Sequence, residues 1–424
     1  MQLHIFQSGK GDCLLLSNAN DTARILIDGG MPAAYREHVA QALGKLRAAR
    51  KPINLVYVSH IDQDHIGGIL KMLDDEVLWR VHEYQKKSGN PAHKPPPVPR
   101  PPKIDTIWHN AFHEQLKKNA GRIEQALAAA APVLLGAQVG QLREAGLQQS
   151  ELATSIREAI QVSRRVGPKQ LGIELNPQAG GKLMMRRRGA KPIRMKGLTI
   201  TILGPTEPHL ERLRKEWNDW LENNEKALET IRETARKDEQ RLGASELDRL
   251  MLMLALQAEV FGDPKKVTPP NLASLTLLIE ENGESILLTG DAVGEQITEG
   301  LLAAGRLASG STFAVDVLKV PHHGSEHNID KEFCDTVIAR NYVFCGNGEH
   351  ENPDLRVVEL IAKRRLAVPG KFKFWFNSSQ AVVASPAAAG HMAEVEKLVR
   401  RLAGNSKGRM AFKFLVNGSS LKVM

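Results

Sequence analysis

The sequence predicts an α/β fold, and three observations lead to this prediction. Short apolar runs separated by glycine turns alternate with amphipathic stretches over residues 1–75. The same strand pattern returns from residue 271 onward. Histidine and aspartate residues directly follow several of the apolar runs. Since α/β sheets usually bind ligands at the carboxyl ends of their strands, these polar residues are candidates for a functional site.

The first part of the chain divides in order into strands, helices and loops. The runs LHIFQSGKGDCLLLS and ARILIDGG predict strands closed by turns, and YREHVAQALGKLRAAR predicts an amphipathic helix. INLVYVSH predicts a buried strand, and GGILKMLDD is expected to begin the next helix. Residues 91–102 contain seven prolines, which predicts a loop or polyproline II segment. IDTIWHN then predicts another strand.

Helix-forming residues dominate the middle of the chain. Alanine, leucine, glutamine and arginine predict helices over residues 111–166, and a second helical stretch covers residues 208–261. LTITILGPT predicts a strand between them. Six later runs predict strands: SLTLLIE, SILLTGDA, FAVDVLKVPHHGS, NYVFCGNGEH, KFWFNSS and MAFKFLVNGSSLKVM. We therefore predict one α/β domain made of residues 1–110, 198–207 and 271–424, interrupted by a helical and basic insertion at 111–197 and a helical insertion at 208–270.

The composition is that of a globular protein, with 42% hydrophobic and 25% charged residues. No apolar run reaches the roughly 20 residues of a membrane span, and the N-terminus lacks the pattern of a secretion signal. The three cysteines, Cys13, Cys334 and Cys345, are too few for a disulfide framework. We expect a cytoplasmic protein of bacterial type with no membrane contact. The net charge of +9 favours polyanionic partners.

Three segments end apolar runs with residues that can bind metals. They are HIDQDH at 60–65, LLTGDA with Asp291, and KVPHHGS with His322 and His323, while ILIDGG adds Asp28. Crowding such groups costs desolvation and charge repulsion unless a cation is present. One such residue after a strand is usually structural, but several that converge in one sheet favour a metal site. Imidazole and carboxylate ligands suit zinc, manganese or iron, and additional carboxylates favour harder ions.

These motifs resemble the metallo-β-lactamase superfamily, whose signature is HxHxDH followed by a bridging aspartate and a further histidine. The likeness is closer to the hydrolase domain of ComEC-like DNA-uptake proteins, which share a Gly-x-Gly-Asp start, LIDGG, HxDxDHxGG, LLTGD and LKVPHHGS. The similar parts of the chain are about 1–75, 198–206 and 271–360. The resemblance implies an αβ/βα metallo-β-lactamase sandwich, here with a large helical insertion.

Two divalent ions, zinc or manganese with magnesium as a further possibility, are implied by the same resemblance. Their ligands would be His60, Asp62, Asp64, His65, Asp291 and His322, although the sequence leaves open whether His322 or His323 binds metal. Asp291 would bridge the ions, and Asp28 would orient a histidine through its second ring nitrogen. Asp64, Lys319 and His323 would be catalytic, with Lys319 and the other histidine close to phosphate or the leaving group.

The chain departs from the superfamily's pattern at three positions. Asp62 stands where the wider superfamily has its second histidine, as in the ComEC-like branch. The middle histidine expected before Asp291 has no counterpart, because NLASLTLL offers only Asn271 and Ser274. One metal position is therefore oxygen-rich. Family members often have Gly-His-Pro near the end of the domain, whereas this chain has GNGEHENP with His350 nearby.

The expected function is that of a metal-dependent phosphodiesterase, a nuclease acting on DNA by attack of a metal-bound water. The segment from Lys182 to Lys196 has seven basic residues and no acidic one, which supports a polyanionic substrate. Its expected substrate contacts are Arg186, Arg187, Arg188, Lys191 and Arg194. The segment lacks interleaved aromatic residues, so base stacking is not predicted.

Two other functions stay open from the sequence. One is hydrolysis of a small substrate such as a cyclic nucleotide, phosphoester, lactone or thioester. The other is a regulatory or scaffold role with a degenerate metal site, possible in a defence complex against viruses and with a protein partner on the helical insertion. The missing histidine and the large insertion favour the second alternative. The membrane channel of ComEC-like proteins has no equivalent here, so DNA uptake itself is not expected.

Overall fold

The computed structural model describes residues 1–90, 92–110, 154–155, 158–212, 215 and 273–424. These residues form two β-sheets with helices on their outer faces. No helix among them combines the length and the apolar character needed to cross a bilayer. The α/β class predicted from the sequence is confirmed, and the layers follow the αβ/βα order of the metallo-β-lactamase fold.

Within the described residues the first sheet has seven strands, in the order β15-β1-β2-β3-β4-β5-β6. Strands β3 to β6 run parallel, while β1, β2 and β15 pair antiparallel. The strands are β1 (Gln2–Phe6), β2 (Leu14–Ser17), β3 (Arg24–Ile27), β4 (Ile53–Tyr57), β5 (Ile104–Trp108), β6 (Glu174–Leu175) and β15 (Ser420–Lys422). Every residue of β3 and β4 is buried, including Arg24 and Asn54, as expected of strands covered on both faces.

The second sheet has eight strands in the described part of the chain, in the order β14-β13-β12-β11-β10-β9-β8-β7. Strands β7 to β10 are antiparallel, and β10 to β14 are parallel. The strands are β7 (Ile193–Met195), β8 (Leu198–Gly204), β9 (Thr276–Glu281), β10 (Glu284–Leu288), β11 (Phe313–Lys319), β12 (Val337–Phe344), β13 (Phe372–Phe376) and β14 (Met410–Phe414). Asn282 and Gly283 close the β9–β10 hairpin with φ of 51° and 83°, the left-handed values that suit Asn-Gly in a two-residue turn.

Helices cover the outer face of each sheet. Helix α2 (Ala40–Ala48), α3 (Gln63–Lys87) and helical residues 158–166 pack on the first sheet, and α2 is preceded by α1 (Pro32–Ala34) and a π-helical stretch at Tyr35–Val39. The second sheet carries α4 (Gly294–Ala303), α5 (Lys331–Thr336), α6 (Leu355–Ala367) and α7 (Pro386–Asn405). A third apolar cluster lies between the sheets and includes Ile27, Tyr57, Leu288 and Val317. Both sheets therefore share one core.

Parts of the predicted organisation need correction. The helix expected to begin at GGILKMLDD begins at Gln63, so Asp64 and His65 lie in its first turn. Strands β6 and β7 lie within the predicted insertion 111–197 and pair with the first and second sheet respectively. These strands have only two and three residues, so the sequence carries too little strand pattern to predict them. Their pairing with neighbouring strands stabilises them. The other residues of the helical stretches 111–166 and 208–261 lie outside the described residues, apart from 154–155, 158–166, 208–212 and 215.

Close contacts between backbones hold α3 against the end of β3. The amide of Gly29 donates to the carbonyl of His65 at 2.7 Å, and the amide of Gly68 donates to Gly30 at 2.9 Å. A Cβ on Gly68 would lie 1.9 Å from the carbonyl oxygen of Gly29, and a Cβ on Gly29 would lie 2.3 Å from the amide of Ile69. Only glycine fits at these points, which explains the two Gly-Gly pairs in LIDGG and HIGG.

Gly68→Ala is expected to lower the free energy of unfolding by about 3 kcal/mol or more, because backbone atoms would have to move to admit the new methyl group. The matched control is Gly390→Ala, also in a helix but with no heavy atom within 4 Å of the added Cβ. That change should stabilise the protein by about 1 kcal/mol, since alanine is the better helix former. Urea unfolding of both variants measures the difference. Equal stabilities would show that the approach of α3 to β3 is not restrictive.

Candidate metal centre

The carboxyl ends of strands from both sheets meet at one edge of the molecule. Asp28 follows β3, His60 follows β4, Asp291 follows β10, and the turn with His322 and His323 follows β11. The sheets are joined here because the amide of Leu275 donates to the carbonyl of Ser59 at 2.8 Å. The hydroxyl of Tyr57 also donates to the carbonyl of Leu275. The structure therefore brings together the histidines and aspartates that the sequence assigns to a metal site.

The centre of this edge is formed by Asp64, His65, Asp291 and His323, which we call the central cluster. The two Nε2 atoms of His65 and His323 are 3.3 Å apart. His323 Nε2 lies 3.2 Å from Asp64 Oδ2 and 3.6 Å from Asp291 Oδ2, and His65 Nε2 lies 3.4 Å from Asp291 Oδ1. His65, Asp291 and His323 are buried. Histidine nitrogens and carboxylate oxygens thus converge on one small buried volume.

Three further predicted ligands, His60, Asp62 and His322, form a flanking set beside the central cluster. His60 Nε2 lies 3.3 Å from Asp62 Oδ2 and 3.6 Å from Asp291 Oδ2. His322 Nε2 lies 3.5 Å from the same oxygen of Asp291. Asp291 therefore faces the central cluster and the flanking set at once, which is the position that the sequence predicts for a bridging carboxylate.

The four histidines of the site have the same orientation: Nδ1 of each is hydrogen-bonded on the side away from Asp291. His65 donates through Nδ1 to Asp28 at 3.0 Å, and His322 donates to Asn328 Oδ1 at 2.7 Å. The Ser59 hydroxyl donates to Asp28 at 2.7 Å, so its oxygen is free to accept from His60 Nδ1 at 3.1 Å. These contacts leave each Nε2 atom directed at Asp291.

Asp12 is the partner of the fourth histidine, and it was not among the predicted site residues. His323 Nδ1 donates to Asp12 Oδ1 at 3.1 Å. One ligand atom from each of Asp12, His65, Asp291 and His323 lies within 4.8 Å of the others. The Gly-x-Gly-Asp start was the sequence feature that could have indicated Asp12. The backbone of Gly11 lies so close to Asp64 that a Cβ on Gly11 would be 1.8 Å from the carbonyl oxygen of Asp64. Gly11 allows the Asp12 loop to reach the site.

Backbone strain at the end of β11 sets the directions of the paired histidines. His322 and His323 have φ of 44° and 55°, the left-handed region that costs energy in residues with a Cβ. The two side chains consequently reach different partners, with Nδ1 of His322 at Asn328 and Nδ1 of His323 at Asp12. Such strain is typical of functional sites, where the surrounding structure enforces it.

The charges of the site favour a cation. Burial would lower the pKa of His323, but the carboxylates of Asp291 and Asp12 outweigh burial and raise that pKa to about 9. The pKa of His65 is likewise raised against burial by Asp291, Asp64 and Asp28. Burial opposes ionisation of Asp291, yet the surrounding imidazoles hold its pKa well below the usual value. The negative field is thus strong enough to retain protons on buried imidazoles.

Two buried polar atoms without hydrogen-bond partners indicate that a metal ion would fit this donor set. His60 Nε2 and Asp291 Oδ1 are buried and have no hydrogen-bond partner among the described residues. With Nδ1 of His60 donating to Ser59, its Nε2 carries a lone pair that faces carboxylate oxygens. Lone pairs facing each other repel unless a cation lies between them. Histidine nitrogens and carboxylate oxygens fit zinc and manganese alike.

Lys319, predicted to be catalytic, lies behind this donor set. Its ammonium group pairs with Asp12, donates to the carbonyl of Gly290 at 3.1 Å, and lies 3.7 Å from Asp291 Oδ1. Burial would lower the pKa of Lys319, but Asp12 and Asp291 raise it above the usual range. The side chain is 2% exposed, so it is an internal counter-charge in this structure.

The predicted basic contacts lie apart from the histidines. Arg187, Arg188, Lys191 and Arg194 are exposed, and Arg186 is half-buried. Among the described residues, none of them hydrogen-bonds or ion-pairs with the central cluster. Their segment is nevertheless anchored at the same edge: the side chain of Asn110 both donates to and accepts from the backbone of Met184 at 2.7 Å. The amide of Arg186 donates to Pro205 at 2.8 Å, just after β8.

His350, considered for the substrate side from its sequence position, lies in the loop after β12. Its Nε2 is 3.3 Å from Lys10 Nζ, and Lys10 belongs to the same loop as Asp12. Gly346 in the His350 loop is close to His323, since a Cβ there would lie 3.4 Å from the His323 Cβ. His350 is thus on a loop that borders the site, although it differs from the expected Gly-His-Pro pattern.

Comparison with known proteins agrees with this arrangement at the level of the superfamily. Residues 9–121 match the family model of the metallo-beta-lactamase superfamily. The metallo-β-lactamase match contains Asp12, Asp28 and the His60–His65 segment, so the resemblance is confirmed for the first half of the site. No curated protein matches the chain. The closer likeness to ComEC-like hydrolases stays a prediction.

A solved structure was also found to be similar. It is the Zn²⁺-bound PqqB from Methylobacterium extorquens, which aligns over 99% of this chain and 99% of its own length, with 10% sequence identity and a TM-score of 0.33.

The protonated histidines predict how the metal-free protein responds to pH. Because the pKa of His323 is about 9 when folded and 6.5 ordinarily, its stabilising contribution is complete below about 6.5 and is lost as pH rises through about 9. The melting temperature in EDTA should therefore fall between about pH 6 and about pH 10.

The variant His323→Gln should show a flatter dependence, because glutamine binds no proton. Asp291, with its lowered pKa, contributes in the opposite range and loses its contribution only as the pH falls below the ordinary value of 3.8. Parallel slopes for wild type and His323→Gln above neutral pH would contradict the raised pKa.

Proposed function

We propose that the chain is a metal-dependent hydrolase that cleaves phosphodiester bonds, with nucleic acid, DNA in the first place, as its substrate. The observation that carries this proposal is the ring of four histidine Nε2 atoms around the Asp291 carboxylate, at 3.4 to 3.6 Å. Each imidazole is held through Nδ1, which fixes its tautomer and its direction, as expected for metal ligands. The superfamily match of residues 9–121 supports the same reaction class.

The donor set supports two divalent cations that share Asp291. Asp64, His65 and His323 would hold one, and His60, Asp62 and His322 would hold the other. Bound divalent cations lower the pKa of a water molecule and neutralise charge on a phosphoryl oxygen. Each set combines two imidazoles with one carboxylate and faces Asp291, a mixture of nitrogen and oxygen donors that suits manganese as well as zinc.

Substrate would approach from the side of Asp62 and His322. Their side chains are 29% and 27% exposed, whereas those of His60, His65 and Asp291 are at most 3% exposed. His322 is kept in place by Asn328, whose amide also donates to the carbonyl of Asp291 at 2.8 Å. Asp64, which is 15% exposed, lies between the buried and the open sides and would orient the attacking water.

The basic segment supports a phosphate-rich substrate. Buried Met184 and its partner Asn110 anchor the segment two residues beyond the end of β5. The end of β5 is itself next to His60, because the amide of Val58 donates to the carbonyl of Trp108 at 2.9 Å. The exposed arginines that follow can therefore contact a long polyanion seated at the metal site, whereas a small ester would not reach them.

Asp64→Ala should lower hydrolysis of plasmid DNA and of a generic phosphodiester by more than about 100-fold, since even residues behind a metal ligand are worth roughly 10- to 100-fold. The matched control is Asp74→Ala in the same helix, which loses only the ion pair with Arg165. This partly exposed pair contributes about 1 kcal/mol and lies away from the site histidines, so activity should persist.

Elemental analysis after manganese or zinc loading accompanies this assay, with up to two ions expected per chain of wild type. Wild-type turnover by a folded Asp64→Ala protein would contradict the proposed chemistry. A wild type that binds no ion under any loading condition would instead favour the regulatory or scaffold function.

Replacing Arg186, Arg187 and Arg188 with alanine should weaken DNA binding about equally for all sequences and flatten the salt dependence of log K by up to ~3 units, because fewer counterions are released. Cleavage of a small phosphodiester should be nearly unchanged. The matched control replaces the exposed Lys363, Lys397 and Arg401 on α6 and α7 with alanine.

Fluorescence anisotropy over a salt series measures both triple variants. The arginine variant should lose slope, and the control, whose net charge changes by the same amount, should keep it. An unchanged affinity and slope in the arginine variant would favour a small substrate, such as a cyclic nucleotide, phosphoester, lactone or thioester.

A further inference from the structure

The geometry points to a positioning role for Asp12 and Lys319: we propose that Asp12 orients His323 and that Lys319 holds Asp12, with neither residue contacting a cation or a substrate. The inference rests on the proposed function only in taking the central cluster as a cation site. Lys319, which the sequence places among the catalytic residues, would accordingly act only through Asp12.

Asp12 lies on the rear side of both central histidines. Its oxygens are 3.1 Å from His323 Nδ1 and 3.9 Å from His65 Nδ1. Asp64 and Asp291 approach the opposite nitrogens, with Asp64 Oδ2 at 3.2 Å from His323 Nε2. A cation bound by the two Nε2 atoms would thus face Asp64 and Asp291, while the imidazole rings separate it from Asp12.

Both oxygens of Asp12 already have partners. Oδ1 accepts from His323 Nδ1, and Oδ2 accepts from the ammonium group of Lys319. The side chain of Asp12 is 2% exposed, and the backbone amide of Asp12 donates to the carbonyl of Asp64 at 3.2 Å. Asp12 is therefore held at three points, and each of its carboxylate oxygens already accepts from a donor that lies away from Asp64.

Lys319 is held by protein groups and is closed off from a substrate. Its ammonium group pairs with Asp12 and donates to the carbonyl of Gly290 at 3.1 Å, Asp291 lies 3.7 Å away, and the side chain is 2% exposed. Its own carbonyl accepts from the Thr289 hydroxyl at 2.8 Å, which fixes the end of β11 beside β10. An ammonium buried in this way neutralises Asp12, whose carboxylate would otherwise be an isolated buried charge.

The same arrangement exists on the other central histidine, which supports the assignment. His65 Nδ1 donates to Asp28 at 3.0 Å, and Asp28 is held by the amide and the hydroxyl of Ser59, both at 2.7 Å. Asp28 is thus fixed by neutral donors, and Asp12 is fixed by a charged one. In both cases a carboxylate behind an imidazole sets its tautomer and makes Nε2 the better ligand.

A double-mutant cycle on Asp12 and His323 distinguishes positioning from ligation. Titration calorimetry with Mn²⁺ or Zn²⁺ into the metal-free full chain gives the affinity of each variant. Asp12→Ala should weaken binding by roughly 10- to 100-fold in the wild-type background. In the His323→Gln background the same change should alter the affinity by less than about twofold, because the residue that it positions is gone. Asp28→Ala in the His323→Gln background is the matched reference and should keep its full effect through His65.

Equal losses from Asp12→Ala in both backgrounds would make Asp12 an independent ligand and overturn the proposal. Wild-type affinity in a folded Asp12→Ala protein would also overturn it. These results leave the proposed function intact, whereas a wild type that binds no cation would overturn both. The two failures are therefore distinguishable.

The Asp12–Lys319 pair is tested without metal by the melting temperature in EDTA. Lys319→Met should lower it, since Asp12 is then buried without its counter-charge. Adding Asp12→Asn to Lys319→Met should restore much of the loss, because the amide is neutral and can still accept from His323. A double variant less stable than Lys319→Met alone would show that the pair does not hold the site, and would overturn the role given to Lys319.

Discussion

The Asp291 carboxylate and the four imidazoles around it form the interaction on which the rest of the structure depends. Each imidazole directs Nε2 to this carboxylate at 3.4 to 3.6 Å, and further aspartates lie behind or beside the ring. Such a concentration of buried negative charge is unfavourable unless protons or cations compensate it. In the metal-free protein the raised pKa values of His65 and His323 supply part of that compensation. The donor set accordingly has the properties of a cation site before any cation is considered.

Holding these groups together requires both sheets and unusually close backbone contacts. The first sheet supplies Asp12, Asp28 and the His60–His65 segment, and the second supplies Asp291, Lys319 and the His322–His323 turn. Glycine at positions 11, 29 and 68 lets the backbones approach at distances that no side chain would allow. The contacts of Tyr57 and Ser59 with Leu275 then join the two sheets directly beside the ring. The site therefore exists only when the complete sandwich has formed, although its motifs are local.

The sequence was sufficient to predict the sheets, the strand ends and the set of histidines and aspartates that meet there. Apolar runs mark buried strands, and parallel strands bring their carboxyl ends to a common edge. The partner of His323 could not be predicted in this way, because Asp12 is 311 residues away and the contact depends on how the two sheets are joined. The different directions of His322 and His323 depend on left-handed backbone angles that adjacent identical residues do not reveal. Lys319 could not be assigned from the sequence either. Its motif places it at the site, but only its burial shows that its ammonium group is directed into the protein and not towards solvent.

The two halves of the ring differ in a way that assigns them different tasks under the proposed function. His65 and His323 are buried, and charged carboxylates hold them from behind. His60 and His322 are held by the neutral Ser59 and Asn328, and on this side Asp62 and His322 are exposed to solvent. A carboxylate partner makes an imidazole a stronger donor than a neutral partner does. The buried half is thus built for tight retention of a cation, and the open half for weaker binding and for contact with the substrate. The basic segment is anchored at the same edge. Under the proposed function, affinity for a polyanion would come from this segment and the chemistry from the ring, which are separate parts of the chain.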